Sequence, residues 1–338
     1  MGPISGRMVL TLIIGGTLLM PMNILNTCDS SKRVFEKTST DNSQENGDGE
    51  VGYQAEVPNP DTPCAMYEGR AGDTGLKVWC WDTMEIPAFS KAYGVKLGEK
   101  GGIRIDSECY EEQVFIVGDR LRFRVNPTEP KIGDWCNRPF HMRAEVRTVP
   151  WNIRHEKGTE EWFGWRYTLG DDYKIDQENE WLFFQVHPGV TGLSPQVELM
   201  VINTHQYQGG NAGEIYVVNK GNYPDNHATG IVPKAGESLD IVVHAIWGDA
   251  ANGLLQVWIN DEKVYDKQVA TVYADYPWGG NAKWGIYKWP WLKENRVQKS
   301  LDQNITHLET FMGPLRILTR RPGDKEYGKD AYSLVAPR

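Results

Sequence analysis

Three short stretches of this chain set charged and proton-transferring side chains at the two-residue spacing of a β-strand. In Arg143-Ala144-Glu145-Val146-Arg147, the alternate residues Arg143, Glu145 and Arg147 share one strand face. Two guanidinium groups so placed can grip a carboxylate through paired hydrogen bonds, with the glutamate orienting them. In Gln185-Val186-His187, a neutral amide donor shares a face with a side chain suited to moving protons near neutral pH. In Lys283-Trp284-Gly285-Ile286-Tyr287, Lys283 and Tyr287 share a face with Gly285 between them, where a missing side chain would let a sugar approach the backbone. Tyr287 supplies a phenol whose pKa nearby cations would lower, so that it donates or accepts a proton. Lys288 follows directly and falls on the opposite face. Each stretch alone also fits an ordinary strand, so the chemistry depends on all three meeting on one surface.

The elements that must carry them read as strands. Gln113–Val125 alternates in its second half, and Trp181–His187 is a short apolar run ending in polar residues. Ser238–Trp247 puts Leu239, Ile241, Val243, Ala245 and Trp247 on one face. Leu254–Tyr265 reads as a hairpin whose Asn260-Asp261 pair suits a tight turn. Long helical periodicity is missing. The pattern predicts an all-β chain of two packed antiparallel sheets, a sandwich or jelly roll, with one sheet face forming a groove for a linear polymer.

The 338 residues include 13 Trp, 15 Tyr and 35 Gly, aromatics that serve equally to stack on sugars or to fill a β core. A formal charge of −9 argues against nucleic acid, but not against an anionic sugar polymer met by basic residues gathered in one cleft. Arg7 followed by the apolar run Met8–Met20 has the length of a signal-peptide core and is short for a membrane span. Leu25-Asn26-Thr27-Cys28 resembles a bacterial lipobox, making Cys28 the candidate lipidation site. Residues 1–28 are therefore expected to be a signal peptide, 29–63 a polar flexible linker, and 64–338 one β domain. The protein is expected to be exported and monomeric: an outer-membrane or cell-surface lipoprotein touching the membrane only through its anchor, or a secreted protein. Cys64, Cys80, Cys109 and Cys136 can form two disulfides in three pairings.

In this order, RAEVR, QVH and KWGIY resemble the signature stretches of the jelly-roll polysaccharide lyases. The alginate-lyase branch carries Ser or Thr where this chain has Ala144. Phe163-Gly164-Trp165-Arg166-Tyr167 and Glu180–His187 look more like the heparin-lyase-I and glucuronan-lyase branch, and the likeness spans about residues 104–318. The resemblance implies a concanavalin-like two-sheet sandwich that cleaves a uronic-acid-containing polysaccharide by β-elimination. The C5 proton is removed, the O4-linked sugar is expelled, and an unsaturated uronate end remains. It implies that Arg143, Arg147 and Gln185 hold the carboxylate, Glu145 orients the arginines, and His187 and Tyr287 handle the protons. Tyr287 does both jobs if proton and leaving group share a ring face; otherwise His187 abstracts and Tyr287 donates. Lys283 and Lys288 would bind neighbouring carboxylates or sulfates. No cofactor is implied; some relatives hold a structural calcium, but no DxDxDG-type loop is present here. The expected partner is an anionic polysaccharide, with alginate and glucuronan ahead of ulvan and heparin-like chains, since an acidic protein suits dense sulfation poorly. Two alternatives remain. A glycoside hydrolase needs a pair of flanking carboxylates, absent as an E-x-D-x-E strand, and a carbohydrate-binding protein needs no proton-transfer pair.

Overall fold

The structure, a computed structural model, describes residues 74–81, 102–129, 138–204, 210–221, 224–325 and 330–337. Apolar and polar side chains alternating at period two sort these residues into two antiparallel sheets. The first holds nine strands among the described residues: β1 (Gly75–Trp79), β3 (Val114–Val117), β4 (Arg120–Val125), β6 (Glu160–Leu169), β11 (Ser238–Ile246), β12 (Leu254–Ile259), β13 (Glu262–Gln268), β15 (Leu308–Met312) and β16 (Leu315–Arg320). The second holds seven: β2 (Ile103–Ser107), β5 (Arg143–Thr148), β7 (Trp181–His187), β8 (Val197–Val201), β9 (Ile215–Asn219), β10 (Asp225–Ala228) and β14 (Asn281–Tyr287), in the order β10-β9-β8-β7-β14-β5-β2. This is the two-sheet sandwich that the strand pattern predicts.

The second sheet matters for function because three adjacent strands of it, β7, β14 and β5, carry the three motifs. On their inner faces lie Ala144 and Val146, Phe184 and Val186, and Trp284 and Ile286, all buried. They pack on Phe163 and Trp165 of β6, with Trp165 centred 5.0 Å from Phe184 and 6.2 Å from Trp284. Each buried ring of this size contributes about 1.5–3 kcal/mol relative to exposure, so the site rests on a stiff aromatic floor. Trp79, Trp81, Trp165, Trp247, Trp284 and Trp291 are fully buried, which assigns them to the core. Trp151, Trp278 and Trp289 remain half-buried.

The hairpin at Leu254–Tyr265 forms as expected: Asn260 and Asp261 both adopt positive φ, 52° and 64°, as a two-residue primed turn requires. Gln113–Val125 differs. It folds as β3 and β4, paired antiparallel around Gly118-Asp119, because Gly118 takes φ 62° and reverses the chain. The expected face of Ser238–Trp247 lies in the main core from Leu239 to Trp247. Helix is confined among the described residues to short pieces, chiefly a helix at Glu294–Leu301, which follows a 3-10 turn at Trp289–Leu292. Cys80 and Cys109 each take part in a disulfide. The expected signal peptide, Cys28, the linker, Cys64 and Cys136 lie outside the described residues. Among the described residues no helix is long and apolar enough to cross a membrane.

Candidate active site

Strand register brings the motifs together. Lys283 of β14 stands opposite Arg147 of β5 on one side and Gln185 of β7 on the other, while Tyr287 stands opposite Arg143. On the outer edge, Arg104 and Asp106 of β2 face Arg147 and Glu145. Because alternate residues share a face, Arg143, Glu145, Arg147, Gln185, Lys283 and Tyr287 project from the same side of the second sheet, away from the aromatic floor.

Glu145 is the hub. Its Oε2 accepts from Arg143 Nη1 at 2.8 Å and its Oε1 from Gln185 Nε2 at 2.6 Å. Burial pushes its carboxyl up, against the pull of Arg143 and Lys283. Asp106, which the sequence reasoning missed, gathers the cations: Lys283 Nζ lies 2.8 Å from its Oδ2, Arg143 Nη1 3.6 Å and Arg147 Nε 3.7 Å. Burial alone would raise the Asp106 carboxyl, but these cations, Lys283 foremost, hold it well below the usual carboxylate range. Three cations against two carboxylates leave a positive excess in a chain of net charge −9. The alternation of β2, with Ile103 and Ile105 inward and Arg104 and Asp106 outward, was the available signal.

The Arg143 guanidinium lies over the Tyr287 ring, 4.0 Å from its centre. Its backbone N–H donates to Glu108 Oε2 at 3.0 Å, a second missed residue, whose carboxyl burial pushes up to about 7. The expected lowering of the Tyr287 pKa by a cation is present but outweighed. Burial raises it, and Arg143 offsets only part of that rise, so the resting side chain is a phenol.

His187 packs against Trp151, ring centres 4.6 Å apart, and Trp151 also covers Lys283 Nζ at 4.6 Å. Its Nδ1 accepts the Gly189 backbone N–H at 3.0 Å, which fixes the neutral ring with its hydrogen on Nε2. Burial, with Lys283 and Arg143 adding to it, lowers its pKa to about 4. His187 faces Asn281 across the ladder whereas Tyr287 faces Leu182. At about 3.3 Å per residue their strand positions are roughly 20 Å apart. The two therefore flank the Arg143–Glu145–Gln185–Lys283 cluster.

Two expectations fail on geometry. Lys288 is 1% exposed; its Nζ donates to the Asn179 carbonyl at 2.9 Å and pairs with Asp176 at 3.1 Å. Its place on the opposite strand face sends it into the interior, so it is a structural ion pair and cannot meet a substrate. Gly285 does not open space for a sugar. A Cβ there would sit 2.2 Å from the Ala144 carbonyl oxygen, and its φ of 129° belongs to glycine. The pairing with β7 shifts register between Trp284 and Tyr287, and the Gly285 carbonyl accepts from the buried Tyr167 hydroxyl at 2.9 Å. The glycine thus makes the bulge that aims Tyr287. Among the described residues no three His, Cys, Asp or Glu side chains converge as metal ligands.

One face of the second sheet thus carries a caged cation cluster beside a phenol. A model of the polysaccharide lyase family matches residues 106–310, more than half of the chain, and the chain belongs to that family. It is a polysaccharide lyase. No curated protein matches it in sequence. Similar solved structures include an endo-β-1,4-glucuronan lyase from the fungus Trichoderma reesei, 14% identical, with 74% of this chain and 93% of that chain covered and a TM-score of 0.44. Another is an alginate lyase from Alteromonas sp. 272, 14% identical, with 64% and 94% covered and a TM-score of 0.46.

Proposed function

We propose that the enzyme cleaves a polymer of glucuronate or mannuronate by syn β-elimination, with Tyr287 moving the proton both ways. The observation that carries this is the contact between the Arg143 guanidinium and the Tyr287 ring. A uronate carboxylate gripped by Arg143, with Arg147 and the remaining Gln185 N–H alongside, brings its own C5 to the phenol. Tyr287 as phenolate takes the C5 proton, and the charge that develops spreads onto the carboxylate facing the cations. The C4–O4 bond then breaks, the C4–C5 double bond forms, and the Tyr287 phenol returns its proton to O4, so no proton is gained or lost overall. Glu145 orients Arg143, and Asp106 keeps Lys283 and Arg147 in place.

His187 does not fit the role of base. Its Nδ1 lone pair is occupied by the Gly189 amide and the ring also hydrogen-bonds the Leu193 backbone, which leaves no lone pair to accept the C5 proton. Glucuronate and mannuronate carry C5–H and C4–O on the same side of the ring, whereas guluronate carries them on opposite sides. The test is ultraviolet absorbance of the new double bond on glucuronan, polymannuronate and polyguluronate. Turnover of either of the first two supports the reading; turnover of polyguluronate alone contradicts it. We further propose that the 64–338 domain works as an exported monomer tethered by lipid on Cys28. Radiolabelled palmitate incorporation in a bacterial host, lost in Cys28→Ala, would support the tether, and no incorporation would remove it.

A further inference from the structure

Beyond the cation cluster, Tyr287 also walls a second space. A cavity of about 270 Å³ lies between it and strands β7 to β9, floored by Leu182 and Met200 and bounded by Trp289, Glu198 and Lys220. Trp289 is half-buried, with its ring 5.8 Å from that of Tyr287, and so offers an apolar face. The charged wall is one pair. Lys220 Nζ contacts both Glu198 oxygens at 2.9 Å, with Glu198 almost fully buried and the lysine side chain 31% exposed. Glu198 stands opposite Gln185, which stands opposite Lys283, so the pair continues the row of the cation cluster. Lys220 directly follows β9, three strands from Lys283, or roughly 14 Å at the usual strand spacing. A charge that far away addresses a different sugar from the one held at Arg143. An ammonium has three donors, and a carboxylate from solvent can take those that Glu198 leaves.

We infer that this cavity is the subsite for the sugar next to the cleaved bond and that Lys220 selects a uronate there. The substrate is then a run of adjacent uronates rather than an alternation with neutral or N-acetylated sugars. The inference rests on the proposed elimination only in taking Tyr287 as the reaction centre. Glu198 sets the strength of the contact: it anchors the lysine and keeps the cavity from holding an unopposed positive charge.

The experiment is calorimetric titration of the full chain carrying Tyr287→Phe, so that nothing is consumed, with a glucuronate or mannuronate tetramer and with a hyaluronan tetramer. The homouronate tetramer should bind at least tenfold more tightly than hyaluronan. Lys220→Gln with Glu198→Gln, which strands no buried carboxylate, should cost the homouronate tetramer about tenfold in affinity and leave hyaluronan little changed. Lys220→Arg should retain the affinity, and Glu198→Gln alone should increase it. Equal binding of both tetramers, no binding of either, or unchanged homouronate affinity in a folded double variant would overturn the inference. Lys220-dependent binding without any double-bond formation by the unmodified enzyme would sink the elimination and leave the subsite standing. Double-bond formation without Lys220 dependence would do the reverse.

Discussion

The Arg143 guanidinium rests 4.0 Å from the centre of the Tyr287 ring, and its Nη1 is at the same time bonded to Glu145. In the proposed mechanism one side chain thus serves as carboxylate anchor, as neighbour of the proton-carrying phenol and as partner of a buried acid.

Arg143→Lys keeps the charge but loses the planar fork that reaches both Glu145 and a substrate carboxylate. We expect kcat/KM to fall about 10²-fold, in the range for removing one charge-stabilising donor, with a nearly unchanged melting temperature. Steady-state kinetics alongside thermal unfolding would separate this from a folding defect, which would lower both.

The pH dependence follows from the Tyr287 environment. Burial raises its pKa above the usual tyrosine value, so below that pKa the reactive phenolate fraction grows tenfold per pH unit. The logarithm of kcat/KM should climb with unit slope from neutral pH into the alkaline range. If neutral His187 were the base, its pKa of about 4 would give a plateau above pH 5. Glu108 is one of the charges that raise Tyr287, so Glu108→Gln should move the climbing limb to lower pH.

Gly285→Ala should cost stability. The added methyl meets the Ala144 carbonyl at 2.2 Å in a backbone conformation disfavoured for L-residues. A loss of about 2–4 kcal/mol is expected, measured by chemical denaturation; an unchanged midpoint would show that the bulge is not needed.

Lys288→Met should act on stability alone. It strands Asp176 without its buried cation, a change costing about 3–5 kcal/mol, while the Michaelis constant of the remaining folded enzyme stays the same. A raised Michaelis constant with normal stability would return Lys288 to the substrate.

Period-two alternation made the faces of Arg143, Glu145, Arg147, Gln185, His187, Lys283 and Tyr287 legible before any fold was known. Register was not. That Lys283 stands between Arg147 and Gln185 depends on pairing between strands more than 90 residues apart in sequence, which no local pattern encodes. Asp106 sat in a strand of five residues, too short to stand out. Lys288 could be placed on the opposite strand face but not paired, because its partner Asp176 lies far away in the chain. Proton affinities escaped for a related reason. The rise at Tyr287 and the fall at His187 both come first from burial, which only the packed structure sets.

The most direct test compares initial rates of double-bond formation by Tyr287→Phe and His187→Ala on whichever polymer the unmodified enzyme cleaves. Removing the phenol should abolish turnover, a loss of at least 10²–10⁴-fold, while removing the imidazole should leave measurable activity with weakened binding. Retained activity in Tyr287→Phe, or complete loss only in His187→Ala, would contradict the mechanism.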